Sequence, residues 1–430
     1  MKTYSVGQGK YRGRTNAAIQ QAVDDAAAAG GGTVVVAPGL YRMRDALHLR
    51  SRVSIVGRPG AILKKVPSVE GRIPAFLGYG HFEIVVAEPE KFPVGTGVHI
   101  FDDKAGGFYT TQATVIGRRG NLLFINRMFN HDYNATHNAR VVSAFSLVEG
   151  CGIEDATIEG LTLDGSAAQE TFMLNGCRGS GIFLLETHRI AIRNVEVRAY
   201  RGDAIGFQQS TDILVDHCHV HHNVGQGLHP GSGSVRTIMQ DSLLHDNGCC
   251  GIFYCLRTSH SICRRNVIRS NGQAGISVGE RDTDHLIEDN TIVGNAWEGI
   301  LFREALYVGG DRTVVTGNRI GPNGAKEPRH EISVERGVAD VHVVGNTFTA
   351  AHGRPLAVAK GCRQVSFTGN MVDGRPQQPA DVAGPGRASL KRPRRLPRVG
   401  PAALPSDGAR HLGIAKLRPW KEATFVPGGQ

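Results

Sequence analysis

A chain of 430 residues with 56 glycines and 6% aromatics is too turn-rich for a helical bundle and suits a repetitive body with tight corners. Its formal charge of +10 points to an anionic partner without separating nucleic acid, membrane surface and acidic polymer. Eight cysteines, none in a CxxC pair, are too sparse for a disulfide scaffold and read as small apolar residues of a reduced protein.

The opening "MKTYSVGQGKYRGRTNAA" lacks the apolar core of a signal peptide, and no stretch is long and apolar enough to span a bilayer. The chain is expected either to stay inside the cell or to begin after a cleaved leader. Residues 15–29, "TNAAIQQAVDDAAAA", carry an amphipathic helix pattern, and "GGGTVVVAPGLYRM" follows as a turn and a first strand. The helix is predicted to cap the open end of a coil, where bare strand edges invite aggregation. Residues 68–145 break the pattern; "VGTGVHIF", "QATVIGR" and "NLLFINR" predict a small antiparallel insertion.

From there a repeat governs the chain. "GIFLLE" at 181, "AIGFQQ" at 204, "GLHPGS" at 227, "GIFYCL" at 251, "GISVGE" at 275 and "GILFRE" at 299 recur every 23–24 residues, and "EISVER" at 331 follows after one insert. Such a period means stacked supersecondary units. Within each unit short Val/Ile-rich runs alternate apolar and polar positions, as strands do. No room remains for a crossover helix, so each strand must pair with its equivalent one turn on, as a parallel β-helix. Asn266, Asn290, Asn318, Asn346 and Asn370 hold one slot of the repeat; Asn223, Asn247, Asn271 and Asn295 hold another. Both series read as structural ladders that satisfy backbone at the corners. After Asp373 the sequence turns basic and proline-rich ("LKRPRRLPR") and reads as a poorly packed extension with a docking segment near "ARHLGIAKLRPW". The expected organisation is a cap and first coils at 1–67, the insertion at 68–145, the coils carrying the site at 146–374, and a basic extension at 375–430.

With the "GGGTVVVAPGLY" opening and coils of the "GISVG…NTIVGN" type, the chain resembles the pectin-lyase-like right-handed parallel β-helix superfamily over about residues 12–374, the insertion excepted. The resemblance implies an all-β, right-handed, single-stranded parallel β-helix. It does not choose among that group's polysaccharide lyases, polygalacturonase-type hydrolases, mannuronan C5-epimerases, phage tailspikes and noncatalytic surface proteins. "RGDAIG" puts Asp203 where the polygalacturonase NTDG aspartate belongs, but the DD pair and the GHG histidine are missing. "GLHPGS" keeps part of the epimerase G-F-D-P-H-D run, with His229 in place of its first acid.

Alternation sends Ile276 and Val278 inward, and the residues between and after them outward. Outward residues of successive rungs, ~4.8 Å apart, then form one charged stripe: Asp203, His229, Arg257, Glu280 with Arg281 and Asp282, and Arg303 with Glu304, with Glu298 and Glu335 nearby. Glu280 and Glu304 hold equivalent positions on adjacent rungs, so their carboxyls can approach to ~5 Å, as in retaining glycosidases, or splay wider with a water between. Asp203, three rungs from Glu280, needs another partner, with His229 one rung away. The expected catalytic residues are therefore Asp203, His229, Glu280 and Glu304, with Arg257, Arg281, Asp282 and Arg303 binding substrate. The expected reaction is cleavage of glycosidic bonds in an acidic polysaccharide or oligosaccharide, with hydrolysis ahead of β-elimination. In the elimination alternative, Arg281 and Arg303 neutralise a uronate while His229 or an arginine takes the C5 proton. A uronate C5-epimerase and a noncatalytic glycan-binding β-helix are the other readings. No cofactor, metal, membrane or nucleic-acid partner is expected, since aromatic platforms for bases are not evident. "DHCHVHHN" at 216–223 turns His217, His219 and His221 outward along one strand; with Asp241 and His245 expected on a different groove, the row reads as a solvated polar face rather than a metal site.

Overall fold

The computed structural model describes residues 2–307, 309–391, 393, 396–397 and 399. Among them the chain winds into a parallel β-helix with three long faces. Sheet I holds 13 strands from Thr3–Val6 to Ala388–Ser389, sheet II has 12 from Gly39–Met43 to Arg375–Pro376, and sheet III has 11 from Leu47–His48 to Val382–Ala383. Each coil contributes one strand to each sheet, because a run of two to six residues is all that fits before the chain must turn. Many turns use left-handed residues. Asn194, His217, Asp241, Arg265 and Asp289 recur between sheets I and II with φ of 51–53°, a region that Asn and Asp enter at small cost.

The interior is built from columns. On sheet III, Ile182, Ile205, Leu228, Ile252, Ile276, Ile300, Ile332 and Leu356 stack in register with no accessible surface. Each such side chain stabilises the coil by roughly 1.5–3 kcal/mol. Both asparagine series form ladders as expected. Asn266 Nδ2 donates to Met239 O (2.9 Å) and to Asn290 Oδ1 (3.0 Å), and the next rungs repeat this. The second ladder continues through Asn323 and ends on Glu331, which accepts from Asn323 Nδ2 at 2.8 Å.

The helix Asn16–Ala28 buries Ile19, Ala22, Val23 and Ala26 over the first coils. The interruption at 68–145 is a six-stranded antiparallel sheet with its own core around Ile84, Phe92, Ile100 and Tyr133. At the other end the winding passes the boundary drawn at 374. Val382–Ala383 pairs with Leu356–Ala357, and Ala388–Ser389 with Val365–Ser366. Sheet I also has an apolar outer column, Ala191 to Val314, which is buried and joined by Val399 of the tail. The segment "ARHLGIAKLRPW" lies outside the described residues.

Candidate active site along the third sheet

The outward column of sheet III runs Glu149, Phe183, Gly206, His229, Phe253, Ser277 and Leu301. From Glu149 to Ser277 it spans five rungs, about 24 Å at the usual strand spacing. Asp203 stands at the corner before the strand Ile205–Gln208, one rung below His229. The two are joined: His229 Nδ1–H donates to Asp203 Oδ2 at 2.6 Å, while Asp203 Oδ1 accepts the Gln226 amide at 2.7 Å. Both side chains are buried, and His229 Nε2 has no hydrogen-bond partner. Burial alone would lower the His229 pKa. The bond to Asp203, a contact with Cys255 and the Asp203 charge outweigh it and hold the imidazole at about 9. At neutral pH the pair is therefore an imidazolium–carboxylate pair, with the ring fixed in one orientation.

A strap between Thr162–Asp164 and Ile182–Leu185 crosses this pair. A methyl group at Gly176 would collide with Asp203 Oδ2 and His229 Nδ1, so the close approach requires glycine. Cys177, next in the strap, lies beside Cys255 and is pulled down in pKa by a hydrogen bond from that thiol.

Arg303 lies flat on the same face. Its guanidinium sits 4.1 Å from the Phe253 ring centroid, and Phe253 in turn meets the His229 ring edge-on at 5.4 Å. Nη1 donates to Ser277 Oγ (2.6 Å) and Nη2 to the Tyr254 and Cys255 carbonyls (2.7 and 3.2 Å). Two of its five N–H donors remain for a ligand. A Cβ at Gly279 would run into this guanidinium.

The insertion closes the other end of the groove. Arg127, Arg178, Gln112, Glu149 and Phe183 line a cavity of about 220 Å³. Arg127 Nη2 donates to Glu149 Oε1 (2.9 Å), and His48 Nδ1 meets the same oxygen at 2.8 Å. Against burial, Asp45 and Glu149 raise His48 to about 9.

The remaining stripe residues go elsewhere. Glu280 Oε2 accepts the Leu306 amide at 3.0 Å, and its Oε1 lies 4.0 Å from Arg281 Nε. Glu304 is exposed and ion-paired with Arg336. The expected carboxylate pair is thus divided between separate partners, because the loop after Phe302 folds back onto Glu280. Asp282 is fully buried and accepts from Thr258 N (2.9 Å), Thr258 Oγ1 (2.8 Å) and Gly279 N (2.7 Å). It is a corner residue and faces no groove, a correction to its expected substrate contact. Arg257 and Arg281 are exposed at bends with φ of 57° and 58°, where strand alternation no longer sets direction. Sequence reasoning missed Glu149, His48, Arg127 and Arg178. Extending the repeat one coil back to "SLVEG" would have put Glu149 in the His229 column; the insertion's arginines carry no such signal.

Among the described residues four groups bring ligand atoms within 4.8 Å of one another: Cys177–His229–Cys255, His219–His221–His245, His222–His245–Asp246 and Asp216–His217–Asp241. In the first, His229 is committed to Asp203 and protonated at neutral pH, so it offers no lone pair. The second lies on sheet II, away from the groove.

The family model of the right-handed beta helix region matches residues 143–320. No curated protein sequence matches the chain. Among solved structures it is similar to the A-module of mannuronan C-5 epimerase AlgE6 from Azotobacter vinelandii, at 18% identity over 88% of this chain and 96% of that one, with a TM-score of 0.52. The family 28 exopolygalacturonase of Yersinia enterocolitica gives 13% identity over 90% and 78%, TM-score 0.53. The Dettilon tailspike protein gives 13% over 89% and 68%, TM-score 0.53. At such identities the likeness is one of fold. On its winding, its matched family model and these structural likenesses, the chain has the right-handed parallel β-helix fold.

Proposed function

We propose that this protein acts on an acidic polysaccharide laid along sheet III, with His229 exchanging the C5 proton of a uronate residue. The observation that carries the reading is the Asp203–His229 pair: a carboxylate 2.6 Å from Nδ1 and an unpartnered Nε2 in a face that also presents Arg303. Such a carboxylate-oriented imidazole is built for proton transfer. The free N–H donors of Arg303 suit a uronate carboxylate; neutralising that carboxylate acidifies the adjacent C5–H and stabilises the charge that develops when the proton leaves. Arg127 and Arg178 extend positive charge toward neighbouring sugars. The strap at Gly176 covers the pair, so the sugar reaches Nε2 when the strap lifts, and its return excludes water.

The divided Glu280 and Glu304 remove the main support for a two-carboxylate hydrolysis, which moves the reading to proton abstraction. Loss of the 4-O substituent then gives β-elimination and chain cleavage; return of a proton from the opposite side gives C5 epimerisation. Elimination is the lead: the neutral form of His229 takes the C5 proton, the C4–O4 bond breaks as the C4–C5 double bond forms, and the resulting imidazolium returns that proton to the departing oxygen in the same turnover. The proposal extends to the chain what two of its structural likenesses are named for, a mannuronan C-5 epimerase and an exopolygalacturonase.

The test is a panel of uronate-containing and neutral polysaccharides, with three readouts. Unsaturated-uronate absorbance together with new reducing ends supports elimination. Exchange of solvent deuterium into C5 without cleavage supports epimerisation. New reducing ends without absorbance would mean hydrolysis and overturn the proton-abstraction reading; binding without any of the three would leave a noncatalytic glycan binder. His229→Gln should abolish turnover while retaining substrate binding, and Arg303→Gln should raise KM for the acidic substrate.

A further inference from the structure

We propose that His219, His221 and His245 form a binding site for one divalent first-row transition-metal ion on the outer face of sheet II. The site lies on a different face from the polysaccharide groove and does not depend on that reading.

The register creates it. His219–His221 and Leu243–His245 are adjacent parallel strands in which His221 stands directly beside His245. Val220 and Leu244 between them point into the core, so all three imidazoles project from one side. The sequence reading assigned His245 to another groove; the lateral pairing brings it back to the row. One ligand nitrogen from each histidine lies within 4.8 Å of the other two. His219 Nε2 and His245 Nε2 are 2.8 Å apart.

Carboxylates stand behind two of the rings, as they do behind metal-binding histidines, fixing tautomer and orientation. Asp246 Oδ2 lies 2.6 Å from His245 Nδ1, so that nitrogen carries the proton and Nε2 presents its lone pair toward His219. Glu196 Oε1 lies 3.1 Å from His221 Nε2, and His222 Nδ1 lies 2.7 Å from His221 Nδ1; His222 is exposed, so its ring can turn away and release Nδ1 to an ion. An ion held tetrahedrally at about 2.0–2.1 Å from each nitrogen requires a nitrogen–nitrogen separation near 3.3 Å. The His219–His245 pair reaches it by opening about half an ångström, within the reach of small ring rotations. Three imidazoles with no thiolate suit Zn²⁺, Co²⁺, Ni²⁺ or Cu²⁺, while Mg²⁺ and Ca²⁺ favour oxygen ligands. Since His219 and His221 are only partly buried, water completes the coordination. The bound ion would tie two successive rungs together.

The test uses full-length protein without a polyhistidine tag, stripped with chelator and titrated with Co²⁺. The expected result is one ion per chain at micromolar or tighter affinity, a visible d–d spectrum, displacement by Zn²⁺ and none by Mg²⁺. His245→Gln and His221→Asn should each weaken binding by about a hundredfold or more, and Asp246→Asn by about tenfold. His352→Gln, at an exposed histidine elsewhere, should leave it unchanged. Circular dichroism checks that the variants fold. Binding weaker than millimolar, or equal binding by the His245 and His221 variants, would overturn the proposal. So would a thiolate-to-cobalt charge-transfer band in the near ultraviolet, which would put the ion at Cys177 and Cys255.

Discussion

Asp203→Asn isolates what the buried pair does, because it keeps the side chain's shape and an acceptor oxygen while removing the charge. His229 is held at about 9 against an ordinary 6.5. That difference of about 2.5 pH units corresponds to about 3 kcal/mol in favour of the protonated ring. Without the carboxylate charge, burial dominates and the pKa should fall below 6.5, a shift of more than two units. If neutral His229 takes the proton, wild-type turnover should rise about tenfold per pH unit from pH 6 to 8 and level off near 9, since only about 1% of a group with that pKa is neutral at pH 7. In the variant the rising limb should move below pH 7. The folded-state pKa is raised, so the linked stability is fully present below about pH 6.5 and is lost as pH rises through 9. Wild type should therefore lose about 3 kcal/mol more than the variant between pH 6 and 10. His48, also held at about 9, contributes in the same window to both proteins and cancels in the difference. NMR titration of the His229 ring reads the pKa without activity, and denaturant unfolding at the two pH values reads the linkage. A wild-type His229 titrating near 6.5, or a limb indifferent to Asp203→Asn, would refute the reasoning; a rate that falls through pH 9 would make His229 an acid instead.

Three further outcomes follow from the same geometry. Gly176→Ala should cost most of the activity in a folded protein, because the added methyl collides with Asp203 and His229; unchanged kcat/KM would mean that the strap does not engage the pair. Glu304→Gln should leave turnover and stability within error, since solvent screens the exposed ion pair with Arg336 and leaves it little weight; a large loss of activity would return the carboxylate pair to the mechanism. Asn290→Ala should destabilise the coil by several kcal/mol in denaturant unfolding, because it removes the side-chain partner of Asn266 N and the donor to Cys263 O and takes one bond each from Asn266 Nδ2 and Asn318 Oδ1, and a buried group left unpaired costs about 1–3 kcal/mol.

The 23–24-residue period, the Ile columns and the asparagine ladders were enough to derive the winding, since a parallel β-helix repeats local rules: alternation within a strand, one strand per face, identical residues over one another. The same logic brought Asp203 and His229 together, His229 in the outward column set by period two and Asp203 at the corner one rung below. It failed at the corners. Arg257 and Arg281 take left-handed backbone, where period two no longer sets direction, and Asp282 turns in to hold a bend. It failed also where chain outside the repeat returns: Leu306 on Glu280, Gly176 over the pair, Arg127 beside Glu149. Sequence alone thus determined which residues share a rung and a face, because hydrogen-bonded register propagates from each turn to the next. Which of them share a site was decided only by tertiary structure, because loops and insertions approach the sheet from distant parts of the chain and no periodicity encodes their approach.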